Sequence, residues 1–167
     1  MGKRTLILGL GNILLCDEGV GVRVVERLRE RYSFPEEVQI LDGGTLGMDL
    51  LPYVEGADRL LVIDAMEMDA EPGEIARLEG DEVPAFLGIK ISPHQMGLAD
   101  LLTAARLRGH IPQELVLWGV QPGTIDVNLE LSAPVASQVE VLTDRALAEL
   151  RRWGVEGIQR LEQKEGR

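Results

Sequence analysis

Apolar positions along the chain change period several times, and each change marks an element. Residues 6–10 read Leu-Ile-Leu-Gly-Leu and stop at Gly11-Asn12, the pattern of a short buried strand. Val20, Val24, Val25 and Leu28 then recur at helical spacing, while Arg23, Glu26, Arg27, Glu30 and Arg31 take the other positions. That stripe predicts a helix lying on a sheet, and Pro35 closes the unit. A second strand is expected over 38–41, running into Asp42-Gly43-Gly44-Thr45, with a weaker helix over 46–54. Leu60-Leu61-Val62-Ile63 is apolar at every position, so this third strand should be central and covered on both faces. It ends on Asp64.

Between 66 and 91 the periodicity fades. Glu71-Pro72-Gly73 is a turn, 74–78 reads as an edge strand, and 80–90 as a long loop of the kind that more often serves function than connection. Ser92-Pro93-His94-Gln95 opens a further helix, with Ser92 as N-cap, Pro93 at the first helical position and Gln95 reaching back. Leu98, Leu101, Leu102 and Ala105 form its buried stripe and Gly109 its stop. A strand over 115–120 leads into Gln121-Pro122-Gly123 and a polar loop. Pro134 starts the last helix, with Val135, Val139, Leu142, Ala146 and Leu150 inward and Gly154 past its end. There is no internal repeat and no linker, so residues 1–167 are expected to form a single domain, with 155–167 as a frayed tail.

Strands alternating with helices predict an α/β fold: a single-domain, open, twisted, mainly parallel sheet with helices on both faces. Ligands of such sheets gather at the carboxyl ends of the strands, where the strand order reverses. If the first strand lies between the second and third, Glu18, Asp42 and Asp64 emerge beside one another.

Charge narrows the partners. Seventeen basic against 28 acidic residues give a formal net charge of -11, which repels phosphate backbones and anionic membranes, so neither nucleic acid nor membrane is expected as a partner. The lone cysteine, Cys16, allows no internal disulfide and fits a reducing compartment. Met1-Gly2-Lys3-Arg4 before an apolar stretch mimics a signal peptide but lacks a cleavage site, and no apolar segment is long enough to span a bilayer. A cytoplasmic protein, monomeric when free, is expected.

The candidate chemistry lies in three side chains. Asp17 has an ordinary reading as an N-cap, whereas Glu18 divides evenly between a charge on the helix dipole and a ligand. Asp64 ends a wholly apolar strand, where an acid is costly unless it is paired, coordinated or at a cleft. His94 begins a helix, whose N-terminus favours neutral imidazole, the metal-binding form; the other histidine, His110, falls beyond a helix end. Two carboxylates and an imidazole suit nickel, zinc or a similar divalent ion with positions left open. Affinity alone cannot select nickel from copper or zinc, so nickel would have to be delivered. Dinucleotide binding is weakly supported, because Leu14 stands where the third glycine of that fingerprint belongs. Cys16 reads as a small packed residue rather than a nucleophile.

The segments Gly9-Leu10-Gly11-Asn12-Ile13-Leu14-Leu15-Cys16-Asp17-Glu18-Gly19-Val20-Gly21, Leu41-Asp42-Gly43-Gly44-Thr45, Val62-Ile63-Asp64-Ala65 and Ser92-Pro93-His94-Gln95 resemble the maturation endopeptidases of nickel-iron hydrogenases. Over 91–102 the chain looks closest to the branch serving membrane-bound uptake hydrogenases. The resemblance implies an endopeptidase that removes a C-terminal extension from the hydrogenase large-subunit precursor once nickel is inserted, with nickel supplied by the substrate and no permanently bound cofactor. It places the nickel contacts, and with them the catalytic roles, on Glu18, Asp64 and His94, and sets Asp42, Gly43, Gly44 and Thr45 near them, to support those ligands or to bind substrate. Which of Glu18 and Asp64 takes the proton stays open. Cys16 departs from the hydroxyl residue that relatives often carry. A non-catalytic metal-checking chaperone for the same precursor is the alternative, and a small nucleotide-binding protein of the same architecture is a third reading.

Overall fold

The first apolar stretch forms β1 (Thr5–Leu10), buried at every residue, and the helical stripe after it forms α1 (Val20–Arg31). The computed structural model describes residues 2–44, 46–89 and 93–162, with side chains for all of these except 88–89 and 93–96. After α1 come β2 (Tyr32–Ser33), β3 (Val38–Gly44), α2 (Leu51–Glu55), β4 (Arg59–Ala65), β5 (Ile75–Glu79), α3 (Glu82–Ile89), α4 (Pro93–Leu107), β6 (Glu114–Val120), α5 (Ala133–Ala136), α6 (Gln138–Arg152) and β7 (Gln159–Arg160). The main sheet has the order β3-β1-β4-β6-β5; the first four strands are parallel and β5 runs antiparallel to β6 at the edge.

As expected, β1 lies between β3 and β4, and β4 is central and wholly buried after Arg59. Alternate β4 residues face opposite sides, as a period of two requires. Leu60 and Val62 join Leu6, Leu8 and Leu117 in a core under α2, α3 and α4, while Leu61 and Ile63 join Ile7 and Val116 in a core under α1 and α6. The stripes read from the sequence in α1, α4 and α6 are the residues that fill these cores.

Four expectations need correction. Residues 82–89 are helix α3 rather than loop: Val83 and Leu87, one turn apart, are buried, and Pro84 sits in the first turn, where no intrahelical N–H is needed. The second strand runs on through Asp42 to Gly44. The last helical region is two pieces, α5 and α6, divided at Ser137. Part of the tail expected to fray is paired, β7 lying antiparallel on β2 with Gln159 opposite Ser33. The proposed N-cap Ser92 lies outside the described residues, although α4 does begin at Pro93.

Candidate active site at the switch point of the sheet

The chain leaves β1 toward β3 with α1 on one face, and returns past β1 to β4 with α2 on the other. The crevice of such a reversal opens between the carboxyl ends of β1 and β4. Gly11 follows β1 there with φ +115°, a conformation that side chains disfavour, and its N–H donates to the Gly44 carbonyl at 3.1 Å. A Cβ on Gly11 would fall 1.8 Å from the Glu18 carbonyl oxygen and 3.7 Å from Asp64 Oδ1, so the Glu18 backbone and the Asp64 carboxyl flank this glycine. The approach of α1 is equally tight: a Cβ on Gly21 would lie 2.1 Å from the Ile63 carbonyl oxygen. Small residues therefore let the start of α1 sit directly on the end of β4.

Asp64 is buried, and Glu18 is partly buried in the 3-10 turn Cys16–Gly19 ahead of α1. Burial pushes the Asp64 carboxyl well above the usual carboxylate range; the Ala65 N–H opposes this and the charge of Glu18 adds to it. A buried carboxyl raised in this way either holds a proton or welcomes a cation. A carboxyl perturbed in this way at the strand ends is a candidate for proton transfer.

The turn before α1 is held from an unforeseen direction. Asp17 makes no helix cap; it is fully buried, and its carboxylate gathers donors from the far end of the chain. Oδ2 accepts the N–H groups of Gly123 and Thr124, each at 2.8 Å, and the Ser132 hydroxyl at 2.6 Å, while Oδ1 accepts the Ser132 N–H at 2.7 Å. Burial alone would raise this carboxyl, but the Ser132 hydroxyl and the N–H groups of Thr124, Ser132 and Gly123 outweigh it and hold the group below its ordinary range. Cys16, at φ +54°, completes the join: its N–H donates to the Asn128 carbonyl at 2.8 Å, and the Asp17 N–H to that of Thr124 at 3.0 Å. Its thiol is buried and raised in pKa, first by desolvation and then by the Asp17 charge, which suits packing rather than nucleophilic attack.

Gln121 does the same for the loop after β4. Its Oε1 accepts the Met68 N–H at 2.7 Å and its Nε2 donates to Glu67 at 2.9 Å. The signal was available, since Gln121 is a polar residue ending an apolar strand, as Asp64 is. For Asp17 there was none, because its partners lie 106 to 115 residues away.

Among the sequence candidates, Glu18 and Asp64 come together. Asp42 stands exposed one strand away, paired in register with Gly9, with Gly43 and Gly44 closing β3; Thr45 lies outside the described residues. His94 is the second residue of α4, and its side chain lies outside the described ones. The far end of α4 is fixed: Leu107 lines a cleft with Gly80 and Leu115, at the amino end of β6. Fifteen helical residues span about 22 Å, the length of a seven-residue strand, so a helix packed along the sheet starts near the carboxyl rim. No group of three metal-binding side chains occurs among the described residues.

Fold and acid pair together describe an α/β protein with Asp64 buried beside Glu18 at the switch point of its sheet. The family model for HycI, hydrogenase maturation protease, matches residues 22–149. The hydrogenase 2 maturation protease of Escherichia coli is 47% identical over 158 residues, covering 94% of this chain and 96% of that one. A HupD hydrogenase expression/formation protein of Rhodobacter capsulatus is 44% identical over 156 residues, covering 92% and 74%. The hydrogenase maturating endopeptidase HybD from E. coli superposes with a TM-score of 0.89 at 46% identity, covering 94% and 97%. The chain belongs to the hydrogenase maturation protease family and is an endopeptidase. No helix among the described residues is long and apolar enough to cross a membrane.

Proposed function

We propose that this endopeptidase removes the C-terminal extension of a nickel-iron hydrogenase large-subunit precursor, and that it reads the nickel already bound there. Glu18, Asp64 and His94 add oxygen and nitrogen ligands to an ion that arrives on the precursor's cysteine thiolates. The nickel is part of the substrate, which removes the problem of selecting it from copper or zinc. It polarises the scissile carbonyl or a water beside it; water adds to the carbonyl carbon, the C–N bond breaks, and a carboxylate of the pair carries the water's proton to the departing amine.

One observation carries this reading: the buried Asp64 carboxyl is driven upward by burial and by Glu18, so an arriving divalent charge relieves what the fold imposes. The direction of α4, which brings its first turn toward the carboxyl rim, supports His94 as the third member. Asp42, Gly43, Gly44 and Thr45 then border the substrate. With the ion on the substrate, the enzyme alone is expected to be silent on ordinary peptides.

The test is to incubate the protein with nickel-loaded and with nickel-free precursor and to weigh the large subunit by mass spectrometry. Loss of a C-terminal peptide from the loaded form alone is expected. Equal cleavage of both forms overturns the nickel reading, and tight binding with intact mass points to a metal-checking chaperone. His94→Ala is expected to abolish processing while leaving thermal unfolding unchanged; cleavage at the parent rate removes His94 from the site.

A further inference from the structure

We infer that the loop after β6 is the surface on which the polypeptide substrate is laid beside the acid pair, an inference that rests on the processing function above. Ile125, Val127 and Leu129 are 61%, 86% and 58% exposed, and Leu14, on the loop after β1, is 55% exposed next to them. Single exposed apolar residues are ordinary; three within five residues, joined by a fourth from another loop, form a patch.

This loop is held. Its two ends donate to the buried Asp17 carboxylate through Gly123, Thr124 and Ser132, and its middle pairs with the turn that carries Glu18. Asn128 makes a parallel bridge to Leu15, its N–H donating to the Leu14 carbonyl at 3.0 Å and its carbonyl accepting the Cys16 N–H at 2.8 Å. The chain therefore spends a buried carboxylate on fixing a loop that presents apolar side chains to water. Such fixing serves a surface that must meet something in one orientation.

The occupant follows from where the patch lies. Asn128 is bonded within two residues of Glu18, so the strip lies beside the turn that carries this acid, within reach of a chain held at Glu18 and Asp64. In an endopeptidase that is a polypeptide. Asp126 and Glu130 are exposed between and beside the apolar residues, in a chain of net charge -11, so the fitting segment carries apolar side chains with basic ones among them. The patch is thus a docking strip for the stretch of precursor flanking the scissile bond.

The experiment compares the parent with the pair Val127→Ser/Leu129→Ser, and with Leu107→Ser as a control. Leu107 is 84% exposed at the opposite end of the sheet. Processing of nickel-loaded precursor is followed at varied precursor concentration, binding is followed by calorimetry, and the state of association by sedimentation. The pair should raise KM by about tenfold or more with kcat within twofold, and weaken precursor binding in the same proportion. Thermal unfolding should not move, because the residues are exposed, and the control should behave as the parent.

An unchanged KM in the pair overturns the inference, as does a fall in kcat at constant KM. A parent dimer that the pair converts to monomers with KM unchanged makes the strip a contact between copies instead, and also overturns it. Failure of the function is separately visible: if the parent binds precursor without cutting it and the pair loses that binding, the strip stands and the proteolytic reading of this substrate falls. If the parent neither binds nor cuts, both fall.

Discussion

Asp17→Asn isolates the contribution of the buried anchor, since the amide has the shape of the carboxylate but only one accepting oxygen. Placed at the Oδ2 position, that oxygen keeps Gly123, Thr124 and the Ser132 hydroxyl, and the amide nitrogen then faces the Ser132 N–H, which approaches Oδ1 at 2.7 Å. Donor meets donor, one N–H is left unsatisfied, and the three retained bonds lose their ionised acceptor. An unsatisfied buried donor costs about 1–3 kcal/mol, and hydrogen bonds to charged groups are worth about 1.5–3 against about 1 for neutral ones. Relief of the desolvation of a buried charge offsets part of the sum. The net expectation is a loss of about 2–4 kcal/mol, or roughly 5–15 °C in Tm for a chain of this size. Urea unfolding gives the free energy, and amide hydrogen exchange at Gly123, Thr124 and Ser132 gives its location. If stability stays within about 0.5 kcal/mol and those three amides exchange as in the parent, the anchor does not hold the loop.

Asp64→Asn removes a carboxyl that burial and Glu18 both disfavour in its charged form, so the free protein should gain about 1 kcal/mol in urea unfolding while processing falls by about a hundredfold or more. Gly21→Ala tests the close approach by its sign. Helix propensity alone favours alanine by about 1 kcal/mol, but the new Cβ would meet the Ile63 carbonyl at 2.1 Å, and a loss of about 3 kcal/mol is expected instead. Glu149 supplies a pH dependence. It is buried, and although desolvation raises its carboxyl, the Arg77 hydrogen bonds and charge, with Trp118, bring it below its ordinary 4.5. A depressed folded value contributes stability that is present above 4.5 and lost as the pH falls through that lower value. Glu149→Gln should therefore cost about 2 kcal/mol at pH 7, with the gap to the parent closing on acidification; a gap of constant size down to pH 3 contradicts the assignment.

Periodicity made the scaffold legible. β1, β4, α1, α4 and α6 announced themselves through runs or stripes of apolar residues that turn out to be buried, and the order of the first three long strands followed from the doubly wound pattern. α3 did not, because Glu82-Val83-Pro84-Ala85-Phe86-Leu87-Gly88-Ile89 has no polar face and carries a proline and a glycine; its helicity comes from packing Val83 and Leu87 into the core. Nor did β7, two exposed polar residues whose strand exists only because β2 offers an edge. Of the candidate site, Asp64 was legible through contrast with its apolar neighbours. Asp17 was misread because capping rules are local, and its donors come from the other end of the chain.

The adjacent acids Asp17 and Glu18 show how one short turn separates support from chemistry. A carboxylate with both oxygens occupied by four strong donors has its charge neutralised in place, and offers a passing cation little that those donors have not already taken. Asp17 therefore does not compete with its neighbour, however close the two stand in sequence. Asp64 faces the reverse condition, its carboxyl raised by burial and by the charge of Glu18. The proposed chemistry thus falls to the Glu18–Asp64 side of the turn, and the Asp17 carboxylate serves to hold it. Adjacent residues of a 3-10 turn project about 120° apart, and the Cys16 conformation at φ +54° with its bond to Asn128 fixes the entry to this turn. The strain at Cys16 and the anchoring at Asp17 thereby serve the same end: they hold Glu18, and not its neighbour, toward the end of β4.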